Sequence, residues 1–244
     1  MELIQLDTRL EKTVQGFVAL LKGKLSVNLK AALLYGSAAR GEYSKRYSDI
    51  NILLVVEALD TQSLKSIGRS KRRLAFNKIA ALVLSKKDME SATDTFPIEF
   101  LDMKENHILL WGEDYFKGLT IDLKNLRHQC EWELKSKLIQ AQQLYINSFT
   151  HKNALRNFLV KNLPPFIIIF KNILRLKGIS ESNKEKILER IALEFGLHTD
   201  IFRQLWQMRQ GSLKIAAIEE AFERFLEALR QLSCNVDTLL VNRG

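Results

Sequence analysis

Two short apolar runs and the loop between them constrain this chain more than any other feature. Ala31 to Tyr35 is apolar and stops at Gly36-Ser37; Ile50 to Val56 is apolar, rich in β-branched residues, and opens behind Ser48-Asp49. Runs of this length and composition read as buried strands. A glycine directly after a buried strand lets backbone approach a ligand closely. Exposed N–H groups at such a turn can cradle anionic oxygens, and Ser37 adds a hydroxyl donor. Arg40, three residues on, has the planar fork that matches phosphate. Asp49 and Asn51 are two apart, so on a strand they share a face. Two carboxylates at that spacing would hold Mg²⁺ ions on a triphosphate. Here one of the two is an amide, which offers an oxygen without charge. The plainer reading is a capped strand entry at Asp49, a hydrogen-bonded strand residue at Asn51, and an ordinary turn with a solvated Arg40.

The rest of the first half supplies a small sheet. Leu10, Val14, Phe17, Leu21 and Leu25 recur at three- and four-residue steps, which predicts an amphipathic helix from about Thr8 to Leu29. A second helix is expected over 61–77 and a strand over 79–84. A fourth strand is expected over 96–103, entered through Pro97, which a strand tolerates at its start. That strand would carry Glu99 or Asp102 into the cleft beside Asp49. Three apart on a strand, they face opposite sides, and Glu99, flanked by Ile98 and Phe100, is the preferred candidate.

After Gly112 the pattern turns helical. Leu123, Leu126, Cys130, Leu134, Leu138, Ala141 and Tyr145 form one stripe, and further helices are expected over 153–160, 166–177, 183–195, 200–209 and 214–232. Pro164-Pro165 separates two of them. Gly178, Gly196 and Gly211 stand where helices should end. The expected fold is α+β, a small mixed sheet with flanking helices over residues 1–118, followed by an all-α helical bundle over 119–244.

The set Gly36-Ser37-Ala38-Ala39-Arg40-Gly41 with Ser48-Asp49-Ile50-Asn51 resembles the signature of the minimal nucleotidyltransferase superfamily, G-S-x-A-R-G then S-D-x-D. That group includes aminoglycoside nucleotidyltransferases and the bacterial MNT partners of HEPN proteins. The resemblance is specific over 35–56 and weaker to about Asp102. It implies transfer of a nucleoside monophosphate from a triphosphate, most often ATP, onto an acceptor hydroxyl. Gly36 and Ser37 would hold the β- and γ-phosphates, with Arg40 as a further phosphate contact. Asp49 would ligate Mg²⁺, Glu99 would be the third acid and second metal ligand, and Asn51 would stand where the second acid belongs. Losing that charge weakens the expected Mg²⁺ site, so binding is expected to outlast catalysis. The alternative is a weak or inactive nucleotide-binding and protein-interaction module.

Composition narrows the partners. The chain of 244 residues carries a net charge of +9. Eight Lys or Arg and no acid fall within 61–87, and the same holds for 134–180. Such runs suit anionic partners, although nucleic acid is not the favoured one, and a basic solvated helix surface explains them too. The longest apolar stretch, Leu163 to Phe170, is too short to span a bilayer, so no membrane partner is expected. Early Glu2 and Asp7, without an apolar signal core, suggest no export. Two distant cysteines, Cys130 and Cys234, read as buried thiols rather than a disulfide. A cytoplasmic protein, with a homodimer as one option, is the expectation. The four histidines show no metal-ligand spacing, and no Arg is followed four to six residues later by His, which disfavours RNase chemistry of the HEPN kind.

Overall fold

The computed structural model describes residues 7–41, 43, 49–73, 78–148, 150–197 and 200–239, the side chains of 73 and 200 excepted. Its backbone divides into two compact units, Met1–Ile121 and Asp122–Gly244.

The first unit is built on four strands: β1 (Leu29–Tyr35), β2 (Ile50–Val56), β3 (Ile79–Ser85) and β4 (His107–Gly112), in the order β3-β2-β1-β4. β1 pairs antiparallel with both β2 and β4, whereas β2 and β3 are parallel. A parallel neighbour requires a crossover, and α2 (Thr61–Arg73) supplies it. α1 (Thr8–Leu25) and α2 cover one face, where Phe17, Leu21 and Ile67 pack on Ala32, Leu34, Ile52 and Leu54. The other face packs Ala31, Leu33, Leu53 and Val55 against Met89, Phe100, Met103 and Phe116. Cover on both faces explains why β1 and β2 read as continuous apolar runs rather than alternating ones.

Residues 96–103 depart from expectation. They form no strand. Thr95 ends α3 (Lys86–Thr95), and α4 follows as a helix over Pro97–Glu105. Pro97 stands at the start of α4, where its missing N–H costs no hydrogen bond. Phe100 and Met103, three apart, point together into the core, which only a helix allows. The fourth strand is instead β4, with Tyr35 opposite His107 and Leu34 opposite Ile108.

The second unit is helical: α5 (Leu123–Ser148), α6 (Lys152–Leu176), α7 (Lys184–Glu194), α8 (Asp200–Gln210) and α9 (Ile218–Asp237). The α5 stripe is in place, with Leu126, Cys130, Leu134 and Ala141 buried. Rings from α6, α8 and α9 make an aromatic core; Phe170 meets Phe202 at 4.9 Å and Phe166 meets Phe225 at 5.2 Å, both edge-on. Gly178, Gly196 and Gly211 all have positive φ just past helix ends. The expected break at Pro164-Pro165 is absent, because α6 runs through both prolines. Pro164 leaves the Val160 carbonyl without its helical donor. Arg209 of α8 replaces that donor, its Nη1 donating to Val160 O at 2.7 Å.

Cys130 is buried, whereas Cys234, expected to be buried, is exposed. Among the described residues no helix is long and apolar enough to cross a membrane.

Candidate nucleotide site at one edge of the sheet

The strand directions bring four chain segments to one edge. Tyr35 at the end of β1 pairs with Asn51 near the start of β2 and with His107 at the start of β4. Asn51 pairs in turn with Ala80 near the start of β3. The Gly36–Gly41 turn therefore leaves the sheet beside the point where Asp49 enters it.

Gly36 has φ +73°, and its carbonyl accepts the N–H groups of Ala39 and Arg40, each at 3.1 Å. A Cβ on Gly36 would stand 2.7 Å from Asn51 Nδ2, so the amide fills the space a side chain would need. Ala38 and Ala39 are buried in the core beneath α1 and α2. The turn is thus anchored from below. The half-buried Ser37 hydroxyl, and the N–H groups of Ser37 and Ala38, make no hydrogen bond with any described residue. Asp49 is exposed and also has no partner among the described residues. Ser48 of the signature lies outside the described residues.

Arg40 is placed differently from expectation. Its Nη1 reaches both oxygens of Asp102 on α4, at 3.1 and 2.9 Å. Both side chains remain about a third exposed (32% and 36%), so the pair adds only about 0–1 kcal/mol of stability. Its consequence is geometric, since it ties the turn to the helix on the other face. Asn106 Nδ2 also donates to Asp102 Oδ1, at 3.3 Å.

The two candidate third acids sit on α4 and not on a strand, which corrects the geometry expected of them. Glu99 is exposed in the first turn, and Asp102 is held by Arg40 and Asn106. On a helix, residues three apart share a side, so the opposition expected on a strand does not apply. The sheet itself offers no substitute. Asn51 shares its face with Leu53 and Val55, and Ala80 shares the same face with Leu82 and Leu84. The neighbours of Asn51 on that face are therefore the Ala80 methyl group on β3 and Tyr35 on β1. Among the described residues, no group of three or more His, Cys, Asp or Glu could hold a metal ion. A pair of cations bridged by several carboxylates does not fit this donor set. Asp49 and Asn51 offer two oxygen-bearing side chains with a single charge between them.

Sequence reasoning missed two further contacts at this edge. His107 Nε2 lies 3.3 Å from Asp114 Oδ1 and its Nδ1 lies 2.9 Å from Met103 O. Burial pushes the Tyr35 phenol above its ordinary value, keeping it neutral. The His107 contacts are close in the chain, to Met103 four residues back and Asp114 seven residues on, but no motif marks them. β3 adds no carboxylate, since Ile79–Ser85 contains no acid.

The sheet, its order and the helical second unit define a nucleotidyltransferase-like fold. One solved structure that shows it is spectinomycin adenyltransferase from Enterococcus faecialis, with ATP and spectinomycin. The two share 13% sequence identity at a TM-score of 0.57, over 91% of this chain and 98% of that one. A nucleotidyltransferase-like protein from Exiguobacterium sibiricum also matches, at 10% identity and a TM-score of 0.41, over 91% of this chain and 74% of that one. Only the first is close enough to define the fold. No family model matches the sequence, and no curated protein matches it.

Proposed function

We propose that the chain binds a nucleoside triphosphate, ATP foremost, at this sheet edge and is a nucleotidyltransferase with a depleted metal site. One observation carries the reading. The Gly36–Ser37 turn and Asp49 meet across an antiparallel pair, with a hydroxyl, two N–H groups and a carboxylate all unengaged by described residues. Donors on one side and an anion on the other suit a polyphosphate with its cation. The ATP in the spectinomycin adenyltransferase structure supports the choice of nucleotide.

Ser37 and the turn N–H groups would take the phosphate oxygens. Asp49 and Asn51 would hold one Mg²⁺, which when bound would neutralise phosphate charge. Arg40 is read as a brace for the turn, because its guanidinium is on Asp102. Glu99 would act on an acceptor hydroxyl only from the first turn of α4. Transfer of the monophosphate is expected to be slow, since a removed charged ligand costs a few kcal/mol and each ~1.4 kcal/mol is tenfold in rate.

The test is calorimetry with ATP and Mg²⁺, paired with pyrophosphate release. Wild type should bind, and Asp49→Asn should weaken binding at least about tenfold. Asn51→Asp should raise pyrophosphate release above wild type. A wild type that binds no nucleotide, with or without Mg²⁺, rejects the site. A second reading is favoured by Asn51 and Ala80 standing where acids would be needed: a nucleotide-binding module without transfer. Binding by wild type with no release from wild type or from Asn51→Asp selects it. Should the chain self-associate, α5 offers a seam, as Trp132, Ile139 and Ile146 are exposed at seven-residue steps, the spacing of a coiled-coil contact.

A further inference from the structure

The first acid-free basic run becomes a surface once α2 forms. Lys65, Arg69 and Arg72 are all exposed and follow one another at four- and three-residue steps, so they lie along one side of the helix. None of the three has an ion-pair or hydrogen-bond partner among the described residues. Like charges at this spacing repel, and α2 has no acid to offset them. Over Lys65 to Arg72 the stripe rises about 10 Å.

α1 adds to it. Both helices lie on the same face of the sheet. The last turns of α1 sit far from the Gly36 edge, where Lys22 Nζ lies 5.1 Å from the ring centre of Trp111 near the end of β4. α2 begins at that same far end, with Asn28 Nδ2 donating to Ser63 Oγ at 2.9 Å. The start of α1 and the end of α2 therefore both lie toward the Gly36 edge. Arg9 and Lys12, exposed in the first turns of α1, wall part of an open cavity of about 550 Å³ there. The acids on this stretch are Asp7, which caps α1 by accepting from Arg9 N, and Glu11, which accepts from Gln15.

We infer that the α1–α2 side of the first unit docks the phosphate backbone of a nucleic acid, with Lys65, Arg69 and Arg72 as one row of contacts and Arg9 and Lys12 as another. The alternatives fit less well. A bilayer would need an apolar helix face to insert, and Ser63, Ile67 and Ser70, the inward side of α2, are buried in the core. A row of single charges on one helix side suits a repeating anion.

The test is anisotropy of a labelled single-stranded oligonucleotide, titrated with full-length protein over a salt series and without nucleotide. Omitting nucleotide keeps the result independent of the Gly36–Asp49 site. Five phosphate contacts predict that log affinity falls with log salt at a slope of about −3.5. Lys65→Glu/Arg69→Glu/Arg72→Glu should keep the melting temperature, lose affinity at least tenfold and flatten the slope by about 2. Arg9→Ser/Lys12→Ser, on the other helix, should lose a smaller factor and serves if the triple variant does not fold. Salt-independent binding, unchanged affinity in the variants, or no oligonucleotide binding by wild type overturns the inference. So does preference for vesicles of anionic lipid over oligonucleotide at equal phosphate, which would assign the surface to a membrane.

Discussion

Gly112 is the most tightly enclosed of the described glycines in the first unit. It has φ +85°, and a Cβ there would run into the Lys30 carbonyl oxygen on β1. A backbone neighbour cannot swing aside as a side chain can. Gly112→Ala is therefore expected to cost roughly 3 kcal/mol, combining left-handed strain with displacement of β1 from β4, and urea unfolding measures it. Asp102 allows a finer experiment. If Arg40 braces the turn, Asp102→Asn should change stability by less than about 1 kcal/mol yet weaken nucleotide binding. Tighter binding would instead make Arg40 a phosphate contact that Asp102 holds back. Calorimetry of the single variant separates the two.

Among the elements, α6 shows how a helix survives two internal prolines. Pro164 removes the donor to Val160 O, and Arg209 restores one from α8. Arg209→Ala should lower the stability of the second unit by about 1 kcal/mol. Pro164→Ala returns the N–H to the helix itself. In that background Arg209→Ala should be near neutral, so a double-mutant cycle should show coupling of about 1 kcal/mol. Additive effects would mean that Arg209 acts elsewhere. α4 carries the converse lesson. Glu99 between Ile98 and Phe100 reads as alternation, yet Pro97 starts a helix and the core takes Phe100 and Met103 together. The two periods, two and about 3.6, cannot be told apart over so few residues.

For the whole molecule, two compact units with separate cores predict unfolding in two steps rather than one. The cysteines report on the second unit. Burial pushes the Cys130 thiol up to about 12 from its ordinary 9.0, so it stays neutral and shielded in the folded state. Cys234 is exposed. One thiol should therefore react at once at pH 8, and the other only as the second unit opens. The sign of the pH effect follows. The folded thiol holds its proton longer than the unfolded one, so its contribution is complete below the ordinary value and is lost as pH rises from there toward about 12. A pH series of urea midpoints for the second transition checks this, with Cys130→Ala removing the thiol's share and leaving that of Tyr145, whose phenol is also pushed up to about 12 by its hydrogen bond to Glu223.

Local patterns carried a good deal of this protein. The strands over 31–35 and 50–56, the stripe of α5 and the glycine stops of the later helices were each readable, because each is a matter of period or of one backbone conformation within a few residues; the first helix, expected to run to about Leu29, ends at Leu25 and β1 already begins at Leu29. So was the meeting of the Gly36 turn and Asp49, since an antiparallel hairpin-like pair joins them. Partners far apart in the chain were decided only by folding: Arg40 with Asp102, Arg209 with Val160, Asn51 with Ala80, and β4 in place of 96–103. These depend on which surfaces the core leaves adjacent, and burial of Phe100, Met103 and Phe116 outweighed what the short pattern of 96–103 could specify.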